Sequence, residues 1–309
     1  MRVLVTGGAG FIGSHVVEKL LEKEAEVEVI DDLSAGRKNN LPSNVKLNVK
    51  AVHDLSPQEV KGYDVIVHCA AQVSTFYSVD YPEEDFKRNA LSTFHLFECC
   101  RKGNDNALII YTSSRSVHGH IPEGKIADES FPFNPSTFYN THKIYGELLC
   151  KIYSELYGMR FVILRPSNVY GPRQPYWMSG WYNFIAYWIK LALENKPIPI
   201  YGTGEQIRDY TYVEDTARAY ILAIEKKEKA IGNAFLLPTG RGVTLNQLAD
   251  LIIKLTGSKS IKQYLPPRKG DIMRFVGSYK KAKEILNWEP KVSLEEGLKR
   301  EIDWIKKEL

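Results

Sequence analysis

The first half of the chain alternates short runs of apolar, β-branched residues with segments in which apolar residues recur every three or four positions. The first pattern is typical of buried parallel strands, and the second of helices that cover a sheet. This alternation predicts an α/β fold built on a doubly wound parallel sheet. The predicted strands are Val3–Val5, Val27–Ile30, Val65–Val67, Leu108–Tyr111 and Phe161–Leu164, and the helices are Ile12–Lys23, Phe86–Arg101 and Lys143–Tyr157.

The alternation of predicted strands and helices stops after Leu164, where a loop rich in glycine, proline and aromatic residues runs from Arg165 to Gly180. We therefore predict two lobes. The larger covers 1–164 with return segments near 199–226, and a smaller, mostly C-terminal α/β lobe covers 165–198 and 230–309. The later predicted elements are a strand at Pro199–Tyr201, a strand at Ala234–Leu237 and helices at Trp181–Glu194, Val213–Glu225, Leu245–Thr256, Lys280–Leu286 and from Leu294 onward.

Composition and charge exclude several classes of protein. Of the 309 residues, 44% are hydrophobic and 25% charged, which is ordinary globular usage. The net charge of +4 is small and the basic residues are spread out, so no nucleic-acid partner is expected. The four cysteines form neither a C-x-x-C pair nor a cluster at metal-ligand spacing, so no metal site is expected. Lacking a leader-like start and a long apolar stretch, the sequence predicts a cytoplasmic location without membrane association.

A glycine-rich turn follows the first predicted strand. Gly8, Gly10 and Gly13 fit the pattern G-x-G-x-x-G where the first helix opens. Backbone N–H groups approach a pyrophosphate closely only where side chains are absent, and a helix N-terminus supplies positive potential. The second strand ends at Asp31, 18 residues after Gly13, where a carboxylate would bind ribose hydroxyls and repel a 2′-phosphate. This arrangement predicts NAD in preference to NADP, although the basic pair at 37–38 leaves NADP open.

Tyr139 and Lys143 are four residues apart at the start of a predicted helix, so their side chains lie on one face. A phenol has an unperturbed pKa near ~10, and a neighbouring ammonium group favours the phenolate. Ser114, after the fourth strand, could supply a hydroxyl to the same substrate oxygen. In a chain with 18 tyrosines the pair alone is more often a surface feature. Its position after the fourth strand favours an acid–base role.

Over nearly its whole length the sequence resembles the extended short-chain dehydrogenases/reductases, and within them the NAD-dependent nucleotide-sugar epimerases and dehydratases. The resemblance implies an NAD-binding Rossmann domain followed by a nucleotide-sugar-binding lobe. The segments that carry it are 5–15 (VTGGAGFIGSH), 68–71 (HCAA), Asn89, 112–114 (TSS), Tyr139 with Lys143, 168–174 (NVYGPRQ), 202–210 (GTGEQIRDY), 287–290 (NWEP) and 294–297 (LEEG).

The same resemblance implies roles for individual residues. Ser114, Tyr139 and Lys143 would act at the reacting carbon. NAD would contact a larger set, namely Gly7, Gly10, Phe11, Ile12, Gly13, Asp31, Asp32, Asp54, Leu55, Ala70, Ala71, Asn89, Tyr139, Lys143 and Pro166. The nucleotide-diphosphate sugar would contact Asn168, Arg208, Arg268 and Asp271. We place Gln72 and Arg115 in the same substrate site, although Arg115 is itself a departure from the family pattern. Physical chemistry agrees for the arginines, because a guanidinium binds phosphate oxygens through two N–H groups at once.

One departure from the family pattern bears on the reaction. Dehydratases and decarboxylases of the family carry an acidic residue one or two positions after the active-site Ser or Thr, whereas Arg115 and Ser116 stand there in this chain. Oxidation and re-reduction at one carbon needs only the three catalytic residues and NAD. Epimerisation is therefore favoured, with a UDP-sugar 4-epimerase as the first hypothesis. His142, another departure, is interpreted as a surface residue.

Other hypotheses stay open. Short stretches at 170–174 and 232–235, together with Gln72, are similar to the tyvelose-type 2-epimerases that act on CDP-deoxysugars. A nucleotide-sugar reductase or dehydratase is a further alternative, and a net reductase would exchange NADH with solvent, whereas an epimerase must retain it. A non-enzymatic NAD-binding sensor or scaffold would be expected to lose Tyr139 or Lys143, and both are present.

Apolar stripes on two of the predicted helices exceed what one sheet face should cover. They lie on Phe86–Arg101 and Lys143–Tyr157. Since the family commonly pairs such helices across a four-helix interface, we predict a homodimer. The alternative is that both stripes belong to the core of a single chain.

Overall fold

The computed structural model describes residues 1–177 and 184–309, so the predicted helix start at Trp181 lies outside the described residues. The strands in chain order are β1 (Arg2–Thr6), β2 (Glu26–Asp31), β3 (Lys46–Val49), β4 (Val65–His68), β5 (Leu108–Thr112), β6 (Arg160–Pro166), β7 (Val169–Tyr170), β8 (Ile198–Tyr201), β9 (Ile207–Asp209), β10 (Thr211–Tyr212), β11 (Ala234–Leu237), β12 (Gly242–Thr244) and β13 (Lys262–Leu265).

The helices cover both faces of the main sheet and build most of the smaller lobe. They are α1 (Phe11–Leu21), α2 (Thr75–Asp80), α3 (Pro82–Asp85), α4 (Ser92–Gly103), α5 (Phe138–Tyr157), α6 (Phe184–Leu193), α7 (Val213–Glu225), α8 (Lys227–Ala230), α9 (Leu245–Thr256) and α10 (Leu294–Glu308). Two π-helical turns, Phe86–Leu91 and Ala282–Leu286, and short 3₁₀ turns such as Val52–Asp54 complete the pattern.

Seven parallel strands form the main sheet, in the order β11-β6-β5-β4-β1-β2-β3. Val3 to Val5 of β1 are wholly buried, because helices pack on both faces of the sheet. The strand order reverses between β1 and β4, and ligands of such sheets bind in the crevice at the carboxyl ends of the strands around that point. The predicted Rossmann-type fold is confirmed.

The lobes divide differently from the prediction. Ala234–Leu237, assigned to the smaller lobe, pairs with β6 and extends the main sheet. Ile198–Tyr201, predicted as a return to the larger lobe, pairs instead with β13. An apolar run of four residues indicates a strand but carries no information on which sheet it joins. The segment Val213–Glu225 forms α7, which packs against α1 of the larger lobe.

Helix α5 begins earlier than the sequence predicts, and the helical segment before it is less regular than predicted. Thr137 caps α5 by accepting a hydrogen bond from the N–H of Asn140, which places Tyr139 in the first turn. The stretch predicted as one helix at Phe86–Arg101 is divided between the π-helical turn at Phe86–Leu91 and α4. Among the described residues, no helix is long and apolar enough to span a bilayer. The cytoplasmic location stays a prediction.

Glu301 on α10 is fully buried, and among the described residues no side chain bonds its carboxylate, whose charged form is favoured by the backbone N–H of Gly171. Burial raises the pKa of this carboxyl well above the ordinary value of 4.5. A folded-state pKa above the unfolded one means that the folded protein holds the proton more tightly. The free energy of unfolding therefore falls as pH rises above about 4.5 towards the folded-state pKa.

We predict that Glu301→Gln, which keeps the shape but never ionises, becomes progressively more stable than the unmodified protein as pH rises from 5 towards 9, by roughly 1–3 kcal/mol. Urea unfolding at several pH values measures the difference. The control is Glu296→Gln on the exposed side of the same helix, which should show no such trend. A difference that stays constant with pH would contradict the assignment.

Candidate active site

A cavity of about 800 Å³ opens at the carboxyl edge of the main sheet, and residues of both lobes line it. The larger lobe contributes the ends of β1, β2, β4, β5 and β6 and the turns that follow them. The smaller lobe contributes a wall that includes Arg208, Arg268 and Asp271. The structure brings together every predicted site residue at this cavity except Asp54, Leu55 and Asn89.

Glycines of the turn after β1 stand where a side chain has no room. A Cβ on Gly13 would lie 2.1 Å from the carbonyl oxygen of Gly7, and Gly7 itself has a left-handed backbone with φ of +70°. Asp31 accepts hydrogen bonds from the N–H groups of Ala9 (2.9 Å) and Leu33 (2.8 Å), which aim its carboxylate at the turn. Burial raises the pKa of Asp31. A bare backbone at a helix start with a carboxylate beside it fits a dinucleotide.

Asp54 and Leu55 do not reach the cavity. The wall at this place is formed by Ala51, Val52 and His53. After β3 the chain makes a 3₁₀ turn, which exposes Asp54 and packs Leu55 into the core under the sheet. A turn of three residues has no period that a sequence pattern could reveal, so the sequence did not indicate which residues of this turn line the cavity.

Asn89 lies behind the cavity and supports a residue that lines it. Its side-chain amide donates to the carbonyl oxygen of Gln72 (2.9 Å) and to the carboxylate of Asp85 (2.9 Å). Asp85 is fully buried and also accepts from the Gln72 amide (2.6 Å). His142, expected at the surface, is partly buried and shares a hydrogen bond of 2.6 Å with Asp85. This network fixes Gln72 and ties it to the residue before Lys143.

The three predicted catalytic residues meet in the cavity wall. The Lys143 ammonium donates to the carbonyl oxygen of Thr112 (2.8 Å) and lies 5.8 Å from the centre of the Tyr139 ring. Burial lowers the pKa of Lys143 to about 8. Burial raises the pKa of Tyr139 to about 12, while a hydrogen bond with Ser114 and the positive charge of Arg115 act in the opposite direction. Tyr139 is thus held beside a serine hydroxyl at the cavity wall, where an ionisable phenol can exchange a proton with a bound oxygen.

The helix that carries Tyr139 and Lys143 is fixed against the sheet one turn further on. A Cβ at Gly146 would lie 2.2 Å from the phenolic oxygen of Tyr111, so only glycine lets α5 approach β5 this closely. Glu147 accepts hydrogen bonds from Arg165 of β6 (2.6 and 2.9 Å) and from the Ser113 hydroxyl (2.5 Å). Neither Glu147 nor Arg165 was singled out from the sequence, because pairing across 18 residues leaves no periodic signal.

The smaller lobe supplies cations to the opposite wall. Arg208 of β9 forms an ion pair with Asp271 (2.5 Å), and the two are largely buried. The Arg268 guanidinium lies 3.5 Å from the centre of the Tyr201 ring. Tyr210, which was not among the predicted site residues, also lines the cavity, and its buried hydroxyl has no hydrogen-bond partner among the described residues. The sequence contains one indication that Tyr210 belongs to the site, because this tyrosine lies in the segment 202–210 that carries the family resemblance.

Comparisons with known proteins agree with this geometry. Residues 3–237 match the model of the NAD dependent epimerase/dehydratase family. The chain is 37% identical over 307 residues to a putative UDP-glucose 4-epimerase of Methanocaldococcus jannaschii, covering 98% of both chains.

Two solved structures are similar over the full length of the chain. A UDP-glucose 4-epimerase from Thermotoga maritima, solved with UDP-glucose, has a TM-score of 0.93 at 37% identity and covers 100% of this chain and 99% of its own. A UDP-glucose 4-epimerase from Thermus thermophilus, solved with NAD, has a TM-score of 0.92 at 33% identity and covers 100% of both chains.

We predict that Asp31→Asn weakens NAD binding by roughly 10–100-fold, as expected for losing charged hydrogen bonds, and reduces the preference for NAD over NADP. Calorimetric titration with both cofactors measures the two affinities. As a control, Asp105→Asn changes an exposed carboxylate that interacts with neighbouring Asn106 and should leave both affinities unchanged. If the unmodified protein bound NADP as tightly as NAD, the basic pair at 37–38 would override the carboxylate.

Proposed function

Since the chain belongs to the NAD dependent epimerase/dehydratase family, we propose that it inverts the hydroxyl-bearing carbon C4 of a UDP-linked sugar. The observation that carries the proposal is the convergence of Ser114, Tyr139 and Lys143 in one cavity with a dinucleotide cradle at one end and arginines at the other. The residues after Ser114 are Arg115 and Ser116, so the acid that a dehydratase would need is missing at those positions.

NAD, held by the glycine turn and Asp31, would supply hydride transfer from and back to the reacting carbon. Tyr139 takes the proton of the sugar hydroxyl as the hydride leaves, and Ser114 donates a hydrogen bond to the same oxygen. Lys143 stays close to the phenol and helps to stabilise its ionised form. The sugar then presents the opposite face of its keto carbon, and Tyr139 gives the proton back when the hydroxyl is restored.

The substrate's diphosphate is held by the smaller lobe in this proposal. Arg208 and Arg268 suit phosphate oxygens because each can form two hydrogen bonds with them, and both line the cavity. Asn168 adds an amide nearby. Because these residues would hold the diphosphate and not the sugar, the sugar ring is free to turn over while the nucleotide stays fixed.

The experiment that tests the proposed function is a panel of UDP-, dTDP-, CDP- and GDP-linked sugars incubated with purified protein. We expect stereoisomers of UDP-sugars that differ at C4, without net formation of NADH. A CDP-deoxysugar inverted at C2, or a dehydrated product, would replace the proposal with one of its alternatives. Absence of any product across the panel would favour an NAD-binding protein without catalytic activity.

We predict that Tyr139→Phe lowers turnover by at least ~10² while NAD affinity stays nearly unchanged, because only the proton-transferring oxygen is lost. Lys143→Ala should impair both. The matched control is Tyr153→Phe on the same helix, whose hydroxyl bonds Glu98 outside the cavity and should leave turnover intact. A Tyr139→Phe protein that kept most of its activity would contradict the assigned acid–base role.

We further propose that the protein is a homodimer. Large apolar side chains on the outer face of α5 stay 45–68% exposed, and Phe94 of α4 beside it is 41% exposed. Contiguous apolar surface of this kind on two neighbouring helices is typical of a subunit interface. The α5 residues are Leu148, Ile152, Leu156 and Tyr157.

We predict that Leu148→Glu combined with Ile152→Glu converts the dimer into a monomer, because two carboxylates would have to be buried in the interface. Light scattering at micromolar concentration measures the mass. Ile261→Glu, at an apolar side chain that is 67% exposed in the smaller lobe, is the control and should stay dimeric. A monomeric unmodified protein would remove the proposal and leave the stripe as exposed apolar surface.

A further inference from the structure

Arg115 is a cation in the cavity wall that has no partner of opposite charge bonded to it among the described residues. Its side chain is 9% exposed and lines the cavity directly after Ser114. One guanidinium nitrogen, Nη2, donates to the Asn168 amide oxygen (2.9 Å). The other, Nη1, is buried without a hydrogen-bond partner in the described part of the chain. The guanidinium also lies 5.0 Å from the centre of the Phe275 ring.

Keeping a charge in this position costs stability. Burial and the charge of Arg208 lower the pKa of Arg115 to about 9, so the fold works against the protonated form. Asp271 is the nearby carboxylate, but Arg208 and the Gln206 amide already bond it. The guanidinium is held by one amide and one ring, and one of its buried nitrogens has no hydrogen-bond partner in the described part of the chain. Since the residue lines the cavity, this unused hydrogen-bonding capacity suits an anion of the ligand.

The place of Arg115 along the cavity indicates which part of the ligand that anion belongs to. Arg115 directly follows Ser114 and bonds Asn168, and all three residues line the cavity. The charge of Arg115 acts to lower the pKa of Tyr139, and the charge of Arg208 lowers the pKa of Arg115, so Arg115 lies within electrostatic range of both. Under the proposed function, Tyr139 marks the reacting carbon and Arg208 marks the diphosphate. Arg115 therefore stands beside the stretch between them, which the sugar ring occupies.

We propose that Arg115 binds a carboxylate on the sugar, so that the preferred substrates are nucleotide-diphosphate hexuronates rather than neutral hexoses. The inference rests on the proposed function and deepens it, because it concerns the sugar that the same site accepts. A carboxylate would complete the hydrogen bonding of Nη1 and neutralise the buried charge. A neutral sugar would leave the guanidinium without its counter-charge, which disfavours that complex.

The test compares kcat/KM for UDP-glucuronate and UDP-glucose, and the affinity for UDP alone, in the unmodified protein and in Arg115→Met. Methionine keeps an unbranched side chain against Phe275 but carries no charge. We expect the unmodified protein to prefer the acid, and the substitution to lower the acid-to-neutral ratio of kcat/KM by at least about 10-fold. Arg115→Lys should retain part of that ratio, because it keeps the charge without the two-pronged geometry.

One control variant and the behaviour of the unmodified protein separate the possible outcomes. Arg268→Met should weaken UDP and both UDP-sugars by similar factors, as expected for a diphosphate contact. If Arg115→Met instead weakened UDP as much as UDP-glucuronate, Arg115 would belong to the diphosphate site and the proposal would be overturned. The proposal is also overturned if the unmodified protein epimerises UDP-glucose at C4 with a higher kcat/KM than UDP-glucuronate. This outcome does not depend on whether Arg115→Met folds. If the unmodified protein epimerised no UDP-sugar at C4, that result would instead refute the proposed function itself.

Discussion

The close seating of α5 on the main sheet is the constraint on which the active site depends. Gly146 has no room for a side chain against Tyr111, and one residue later Glu147 is bonded to both Arg165 and Ser113. Removing one member of such a buried ion pair typically costs ~3–5 kcal/mol. These contacts set the height of α5 relative to β5, and hence the meeting of Tyr139 on the helix with Ser114 after the strand.

The cavity that results is electrostatically divided. At the sheet, a backbone free of side chains and the buried carboxylate of Asp31 suit a dinucleotide. At the smaller lobe, arginines face the same space, and one of them pairs with Asp271. Between the two, burial opposes the charged forms of both Tyr139 and Lys143. A nucleotide-sugar epimerase needs this division, because cofactor and substrate both carry phosphates and must be kept apart at opposite ends.

The sequence predicts the parts of this arrangement that depend on local patterns. Strand periodicity, the glycine turn and the i, i+4 spacing of Tyr139 and Lys143 are local, and the structure brings the residues of all three together at one cavity. Contacts made between distant segments were not predictable in this way. The Glu147–Arg165 pair, the burial of His142 against Asp85 and the pairing of Ala234–Leu237 with β6 all depend on tertiary packing.

If each sugar molecule is oxidised and then re-reduced before it leaves the enzyme, the hydrogen removed from the inverted carbon returns to that same sugar molecule, and following this hydrogen is the most direct test. The UDP-sugar that the enzyme turns over fastest is prepared with deuterium at C4 and carbon-13 elsewhere in the ring, and is mixed with unlabelled substrate. For oxidation and re-reduction of one sugar molecule on the enzyme, we expect mass spectrometry to find deuterium at C4 of the inverted product only in molecules that carry carbon-13. Deuterium lost to water, or transferred to molecules without carbon-13, would contradict it.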